Sequence, residues 1–437
     1  MISTATEMNP PAPRTVVDRL NTDRALRVML WFFIAVLLVY AAFPIANAFL
    51  PGKSIKDYEL WHDTGQHVLH GEAIYPGPFR KFPFMYPPTC ALFLAPISLL
   101  GKPGVVIVLV LVNAAAWFAS IVLSVRLATG EWKRQHVLLY AIPSAIISVY
   151  AWSNFHLGQP SLLLLALLLG AFVALQAKRH VTAGALIAIA AAIKAFPFVA
   201  ILYLLYRRYW IAVASLIVTL AFLLLALPAP FRGFRQAGAD LQRWTQGMLL
   251  KYDNTGMAQR PGRSNSWKNQ SIFGVANRLL RHVDYDDHYG RHEPKFVNLA
   301  DLSFKTVNSI ILAAALALGL AYVGVMPRRR SRSIETDAVE FALLILLMLI
   351  FTPLAFGYLF ACLLFPFTVV VQRWLTAPNT RLLACTAVAA LLLFATIPWQ
   401  RSAQAYGNTF FATLVLFVAL ALELRALSGN VDAASAR

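Results

Sequence analysis

Residues 28–50 read "VMLWFFIAVLLVYAAFPIANAFL" and run directly into "PGKSIKDYELWHD" at 51–63. The first stretch is apolar and uncharged, and long enough to cross a bilayer core about 30 Å thick as a helix. It is too long for the core of a cleaved signal and follows 27 polar residues, so no cleavable leader is expected. The second stretch puts Asp57 at the mouth of a membrane helix. The opening question is what that carboxylate does there.

Similar apolar runs recur along the chain. Candidate spans fall at 28–50, 84–100, 104–128, 135–153, 160–177, 181–206, 209–228, 304–326, 338–353, 355–373, 381–397 and 404–427. That predicts an all-α polytopic membrane protein with about twelve transmembrane helices, some of them tilted, broken or re-entrant. Of the 437 residues, 59% are hydrophobic and 13% charged, against about a quarter charged in soluble domains. A soluble bundle would have no surface left for water. The formal charge of +18 is explained by basic cytoplasmic ends and one basic loop rather than by nucleic acid. Cys90, Cys362 and Cys385 all fall in apolar segments, so neither a disulfide framework nor a metal cluster is read from them.

Basic residues in short loops set the orientation. Arg14, Arg19, Arg24 and Arg27 precede the first span, Arg207 and Arg208 follow the sixth, and "RRRSR" (328–332) follows the eighth. Twelve crossings place all three, and both termini, in the cytoplasm. "EWKRQ" (131–135) and "KRH" (178–180) then fall outside, against the rule; a hairpin at 181–206 would repair part of this. Residues 1–27 form a cytoplasmic tail, 28–427 the transmembrane domain, and 428–437 a disordered tail. Two long loops, 51–83 and 229–303, come out extracytoplasmic, and loops of that length tend to be functional. In the first, Asp57 to His70 suits a helix in the membrane interface, with Trp61, Val68 and Leu69 on one side. The two prolines of "FMYPP" end any preceding helix and open the next.

Asp57 can be solvated or paired with Lys53 or Lys56, a contact worth little. It can instead be a general base, taking the proton from a hydroxyl that attacks an electrophilic carbon. Burial against Tyr58 and Trp61 would tune it. Lys194, in "AAIKAFP", falls within a span and is by default a functional candidate, unless Pro197 breaks the helix and lets it snorkel. Arg80 and Lys81 are further cations, suited to phosphate or to anionic lipid. The basic loop 229–303 reads either as a lid on lipid head groups or as a phosphate and acceptor clamp, with Arg260, Arg263 and Lys268 around "SNSWKNQS" and the amides Asn269 and Gln270 for sugar hydroxyls. Gln159, in "HLGQP", can bond substrate or serve only a turn.

The stretch "IKDYELWHDTGQHVLHGEAIYPGPFRKFPFMYPPTCALFLAPISLL" (55–100) resembles a membrane glycosyltransferase signature. So do "NFHLGQPSLLLLALLLGAF" (154–172), "AGALIAIAAAIKAFPFVAILYLLYRRYW" (183–210) and "NQSIFGVANRLL" (269–280). In this order, over about residues 28 to 375, they resemble glycosyltransferase family 87. These are GT-C-fold enzymes that include polyprenol-phosphate-mannose-dependent mannosyltransferases. The resemblance implies a GT-C-like fold and a polyprenyl-phosphate-linked sugar donor, with mannose favoured. The implied acceptor is a glycolipid or envelope glycan and the transfer inverts, with Asp57 as base. The candidate substrate contacts, read from the residues themselves, are Tyr58, Arg80, Lys81, Tyr86, Gln159, Lys194, Arg260, Arg263, Lys268, Asn269, Gln270 and Tyr358. No metal or other cofactor is expected, since the donor brings its own leaving group. Membrane lipids are the other expected partners, in a bacterial plasma membrane with the active site outside.

One stretch departs from the family pattern. Where the family tends to carry serine-proline-x-serine-tryptophan and then histidines, this chain reads "FTPLAFGYLF" (351–360). Phe356 takes the tryptophan place, and Tyr358 stands about where a histidine is expected. Two rival readings differ in what they need. A lipid-linked oligosaccharide ligase or polymerase would lean on Arg281, His282 and Arg291 rather than on Asp57. A flippase or transporter would show pseudo-symmetric halves, and the two unequal loops argue against that.

Overall fold

The computed structural model describes residues 21–75, 84–249, 252–253, 256–257, 264–286, 293–328 and 331–435. Arg80, Lys81, Arg260, Arg263 and Arg291 lie outside them. The architecture is all-α, as hydrocarbon requires of a chain that must satisfy every backbone group internally. Among the described residues, seven helical segments are long and apolar enough to cross: Asp23–Phe49, Gly101–Thr129, Leu138–Leu157, Trp210–Arg232, Phe304–Val325, Gly357–Thr376 and Asn408–Gly429. Shorter apolar helices fill the bundle between them. Ile334–Phe351 is nearly uniformly buried and carries Glu335, Asp337 and Glu340 at its start.

In chain order, α1 (Asp23–Phe49) leads to α2 (Asp57–Leu69), α3 (Pro88–Ser98) and α4 (Gly101–Thr129). Then come α5 (Leu138–Leu157), α6 (Ser161–Gln176) and α7 (His180–Ile193). A 3-10 turn (Phe196–Val199) runs into α8 (Ala200–Tyr206), and α9 (Trp210–Ala221) follows. The second long loop holds α10 (Ala229–Arg232), α11 (Phe234–Trp244), a short hairpin of Tyr252–Asp253 with Gly256–Met257, and α12 (Ile272–Leu280). The chain ends in α13 (Phe304–Val325), α14 (Ile334–Phe351), a 3-10 segment (Gly357–Leu363), α15 (Leu364–Thr376), α16 (Thr380–Phe394), α17 (Gln400–Ala405) and α18 (Asn408–Ser435). α18 thus runs on through most of 428–437, where the sequence predicts no order.

Two expected spans are corrected. The run 84–100 does not cross. Its helix, α3, has 11 residues, about 16 Å, roughly half the hydrocarbon thickness. Both of its flanks touch α2: the Tyr86 ring lies 4.7 Å from the Trp61 ring, the Gln66 amide donates to Ser98 O at 3.0 Å, and Lys102 Nζ donates to Glu59 at 2.5 Å. So α3 stays at one end of the bundle, laid against α2. The run 181–206 is two legs rather than one. At the end of α7, Lys194 has extended backbone (φ −150°, ψ 128°), and Pro197 then sits in the first turn of the next helix, where its missing N–H is tolerated. The return leg brings Tyr209 back beside His180, with ring centroids 5.3 Å apart.

These corrections remove the conflict over charge. Arg134, of "EWKRQ", pairs with Asp23 at the start of α1. The turn at Gly130, just before it, lies against Ile334 at the start of α14. His180, of "KRH", meets Tyr209, which accepts a hydrogen bond from Arg332 Nη1 at 2.5 Å. Arg207 donates to Pro327 O at 3.0 Å and forms a buried pair with Glu340, which also accepts from the Tyr203 hydroxyl at 3.1 Å. Arg373 bonds both Glu335 and Glu423. The basic turns therefore gather at one end. Keeping 84–100 at one end and folding 181–206 into two legs moves both misfit clusters to the basic end.

Candidate active site

The opposite end brings together Asp57, Tyr86, Gln159, Lys194 and Tyr358. Asp57 is the first residue of α2, and Lys56 before it is held at φ +56°. A non-glycine residue there is uncommon, and such strain collects at functional positions. α2 docks on the turn between α5 and α6. The Tyr58 hydroxyl donates to Phe155 O at 2.6 Å, and Trp61 Nε1 donates to Gly158 O at 2.8 Å. Burial pushes the Tyr58 phenol up, so it stays a neutral donor. Tyr58 is thus a docking group, fully buried, and its hydroxyl is spent on the scaffold. Trp61, Thr64, Gly65 and Val68 complete the buried face of α2, whereas Leu69 is exposed.

The turn itself is built on Gly158 at φ +73°, where a Cβ would stand 2.9 Å from the Tyr58 ring. Gly158→Ala is expected to destabilise the protein by more than the roughly 1 kcal/mol of the backbone effect alone, because it also pushes on Tyr58 and so on Asp57. Thermal unfolding in detergent would show a lowered midpoint, and any activity that depends on Asp57 would fall with it. An unchanged midpoint would mean that the turn relaxes freely.

From this turn Gln159 reaches Asp57. Its Nε2 donates to Asp57 Oδ2 at 2.5 Å, and its Oε1 accepts from the Tyr86 hydroxyl at 2.7 Å. Tyr86 is fixed in turn, its carbonyl accepting from the Tyr75 hydroxyl at 2.6 Å. Lys194 stands at the tip of the α7–α8 hairpin. Its ammonium lies 5.4 Å from the Tyr86 ring centroid and 4.9 Å from that of Tyr358, within the range of cation–π attraction. So Tyr358, the departure from the family pattern, is one wall of the lysine's site.

Sequence reading missed Asn154, which holds this end together. It is fully buried. Its Nδ2 donates to Tyr150 O at 2.9 Å and to Tyr358 O at 2.8 Å, and its Oδ1 accepts from Ser161 N at 3.1 Å. It sits five residues before Gln159 in the "NFHLGQP" stretch, but its partner at 358 is invisible to local pattern.

The second loop packs over the start of the 3-10 segment, and here two expected substrate contacts are otherwise engaged. Asn269 Nδ2 donates to Ser264 O (2.9 Å) and Pro353 O (3.1 Å), while its Oδ1 accepts from Ser271 N (3.2 Å) and Ala355 N (3.0 Å). Its amide is saturated, so it anchors the loop and has nothing left for a sugar hydroxyl. Gln270 Nε2 donates to Trp267 O and Gln404 O at 2.8 and 2.7 Å, and its side chain is likewise buried. Arg278, also missed from sequence, donates to the carbonyls of Ser266, Asn269, Gln404 and Ala405. Lys268 alone of the "SNSWKNQ" group is exposed, with its ammonium 5.1 Å from the Trp267 ring centroid. Arg281 bonds Asn277 and covers Phe304, and His282 stacks on Phe296. Among the described contacts, neither reaches Asp57.

Beside the hairpin lies an apolar cavity of about 330 Å³. Phe196, Tyr203, Tyr322, Met348, Phe351 and Pro353 are among its walls. It begins two residues from Lys194 and follows α8 toward the basic end.

A comparison with protein families matches the model of glycosyltransferase family 87 to residues 84–353. No curated protein matches the chain. The matched stretch contains Tyr86, Gln159, Lys194 and the Asn269–Gln270 turn, and Asp57 lies upstream of it.

Proposed function

The chain belongs to glycosyltransferase family 87 and is a membrane glycosyltransferase, and from that premise we propose that it moves a sugar, with mannose favoured, from a polyprenyl-phosphate donor to a hydroxyl of a glycolipid or envelope glycan. The transfer inverts the anomeric centre. One observation carries the reading. A carboxylate and a cation within the membrane bundle meet through Tyr86 and Gln159, at the end of the bundle remote from the basic turns.

The chemistry follows from that pairing. Asp57 takes the proton as the acceptor hydroxyl attacks. The new C–O bond forms at the anomeric carbon as the bond to the phosphate oxygen breaks, and the electron pair leaves with the polyprenyl phosphate. Lys194 stabilises that departing charge, as a preorganised cation does most effectively where water is excluded. Lys268, with Arg80, Lys81, Arg260 and Arg263, supplies further positive charge for donor and acceptor. The apolar cavity beside the hairpin offers a lipid chain a path down from Lys194. The gathering of basic turns at the other end supports a cytoplasmic face there, and with it a site on the outer side of a bacterial plasma membrane. Residues 28–427 act as one catalytic transmembrane unit, with 51–83 and 229–303 as its two long extracytoplasmic loops.

The test is a donor panel on reconstituted protein with a lipid-extract acceptor. Polyprenyl-phosphate mannose is expected to support transfer, and GDP-mannose without lipid carrier is not. Transfer from the nucleotide sugar alone would remove the lipid donor from the account. Transfer from another polyprenyl-phosphate sugar would keep the reaction and change the sugar.

A further inference from the structure

We infer that Gln159 is a positioning residue for Asp57, and that Tyr86 holds the far side of its amide. The inference rests on the reading of Asp57 as base and adds to it a device that orients the base.

Gln159 is 3% exposed and Tyr86 6%, so neither side chain has water to fall back on. The Gln159 backbone is fixed as well. Its N–H donates to Asn154 O at 3.0 Å, between the left-handed Gly158 and Pro160. Its amide then makes one bond on each side, Nε2 to the carboxylate at 2.5 Å and Oε1 from the phenol at 2.7 Å. Turned over, the amide would aim its carbonyl at the Asp57 carboxylate, two acceptors face to face. That arrangement becomes favourable only when the carboxyl carries a proton to donate. Tyr86 can serve either state, because a hydroxyl both donates and accepts. The observed direction therefore suits ionised Asp57, ready to take a proton, and the reverse suits Asp57 after it has done so. The relay can follow the base through its cycle by a rotation of one amide.

Other groups near Asp57 act differently. Lys194 approaches from the hairpin tip, over the rings of Tyr86 and Tyr358, and Lys56 precedes Asp57 in the chain. Glu59 on α2 is occupied by Lys102 of α4, and the His156 ring of α5 stacks on Trp152. The cations favour the carboxylate in whatever direction it points. The amide bond is directional and adds no net charge, so it orients the base while weakening it less than a third cation would.

The experiment is a set of pH–rate profiles for the full-length protein in vesicles, with polyprenyl-phosphate mannose as donor, or whichever lipid-phosphate sugar the panel supports. Wild type is compared with Gln159→Leu, Gln159→Glu and Tyr86→Phe. Gln159→Leu is expected to lower kcat about tenfold or more and to move the acid limb up by about one to two pH units, the equivalent of one lost hydrogen bond to a charged group. The KM values should stay near wild type. Gln159→Glu should move the acid limb further, because two carboxyls in contact share one proton, and its near-identical size keeps the test open if the leucine variant fails to fold. Tyr86→Phe should shift the limb the same way by less. A raised KM with an unmoved acid limb in both Gln159 variants would make Gln159 a substrate contact and overturn the inference. Asp57→Asn separates the two levels. If it is inactive while Gln159→Leu keeps the wild-type profile, only the inference fails; if it stays active, the base assignment itself fails.

Discussion

Asp57→Asn is expected to lower sugar transfer by about 10²- to 10⁴-fold, the usual contribution of a positioned general base. Asparagine keeps the size and can still accept from Gln159 Nε2, so the docking of α2 through Tyr58 and Trp61 should survive. The loss should therefore fall on kcat rather than on expression, thermal midpoint or donor KM. That split matters, because α2 is held to the α5–α6 turn by groups other than the carboxylate. A mutant equal to wild type at equal expression would return Asp57 to a solvated charge at a helix start. Loss of activity together with a fallen thermal midpoint would make it a structural residue.

Lys194→Gln is the second large effect, an expected loss of about 10²- to 10³-fold in kcat, the scale seen when a preorganised electrostatic donor is removed from a developing charge. The lysine sits where an extended backbone joins two legs of a hairpin, and its ammonium is held over two phenol rings. Glutamine keeps a polar head there without the charge. Lys194→Arg should recover only part of the activity, since a planar fork does not replace a compact ammonium between the rings. Steady-state kinetics against donor concentration check this. A rise in donor KM with kcat intact would show that the cation binds donor and transition state equally well.

Much of this was legible in sequence because it is local. Apolar runs of bilayer length, the prolines of "FMYPP" and the break at "KAFP" each carry their own physics. Asp57, Gln159 and Lys194 stand out as polar residues at the ends or breaks of apolar runs. What stayed hidden depends on partners far along the chain. "CALFLAPISLL" has the composition of a span, and only its contacts with α2 at Trp61, Gln66 and Glu59 keep it at one end. That single misplacement sent "EWKRQ" to the wrong side. Asn269 looked free for substrate because two of the four groups that saturate it, Pro353 and Ala355, lie more than eighty residues away. Asn154 and Arg278 were missed for the same reason. A side chain's hydrogen-bonding capacity can be read from its type, but whether the fold has already used it cannot.

The most direct measurement is the anomeric configuration of the product, read by NMR after the wild-type protein transfers isotope-labelled sugar from the polyprenyl-phosphate donor proposed for it. One carboxylate on the attack side and one cation on the leaving side predict a product inverted relative to the donor. A product with the donor's configuration retained would require a second displacement, and would contradict the account of Asp57 as the single base.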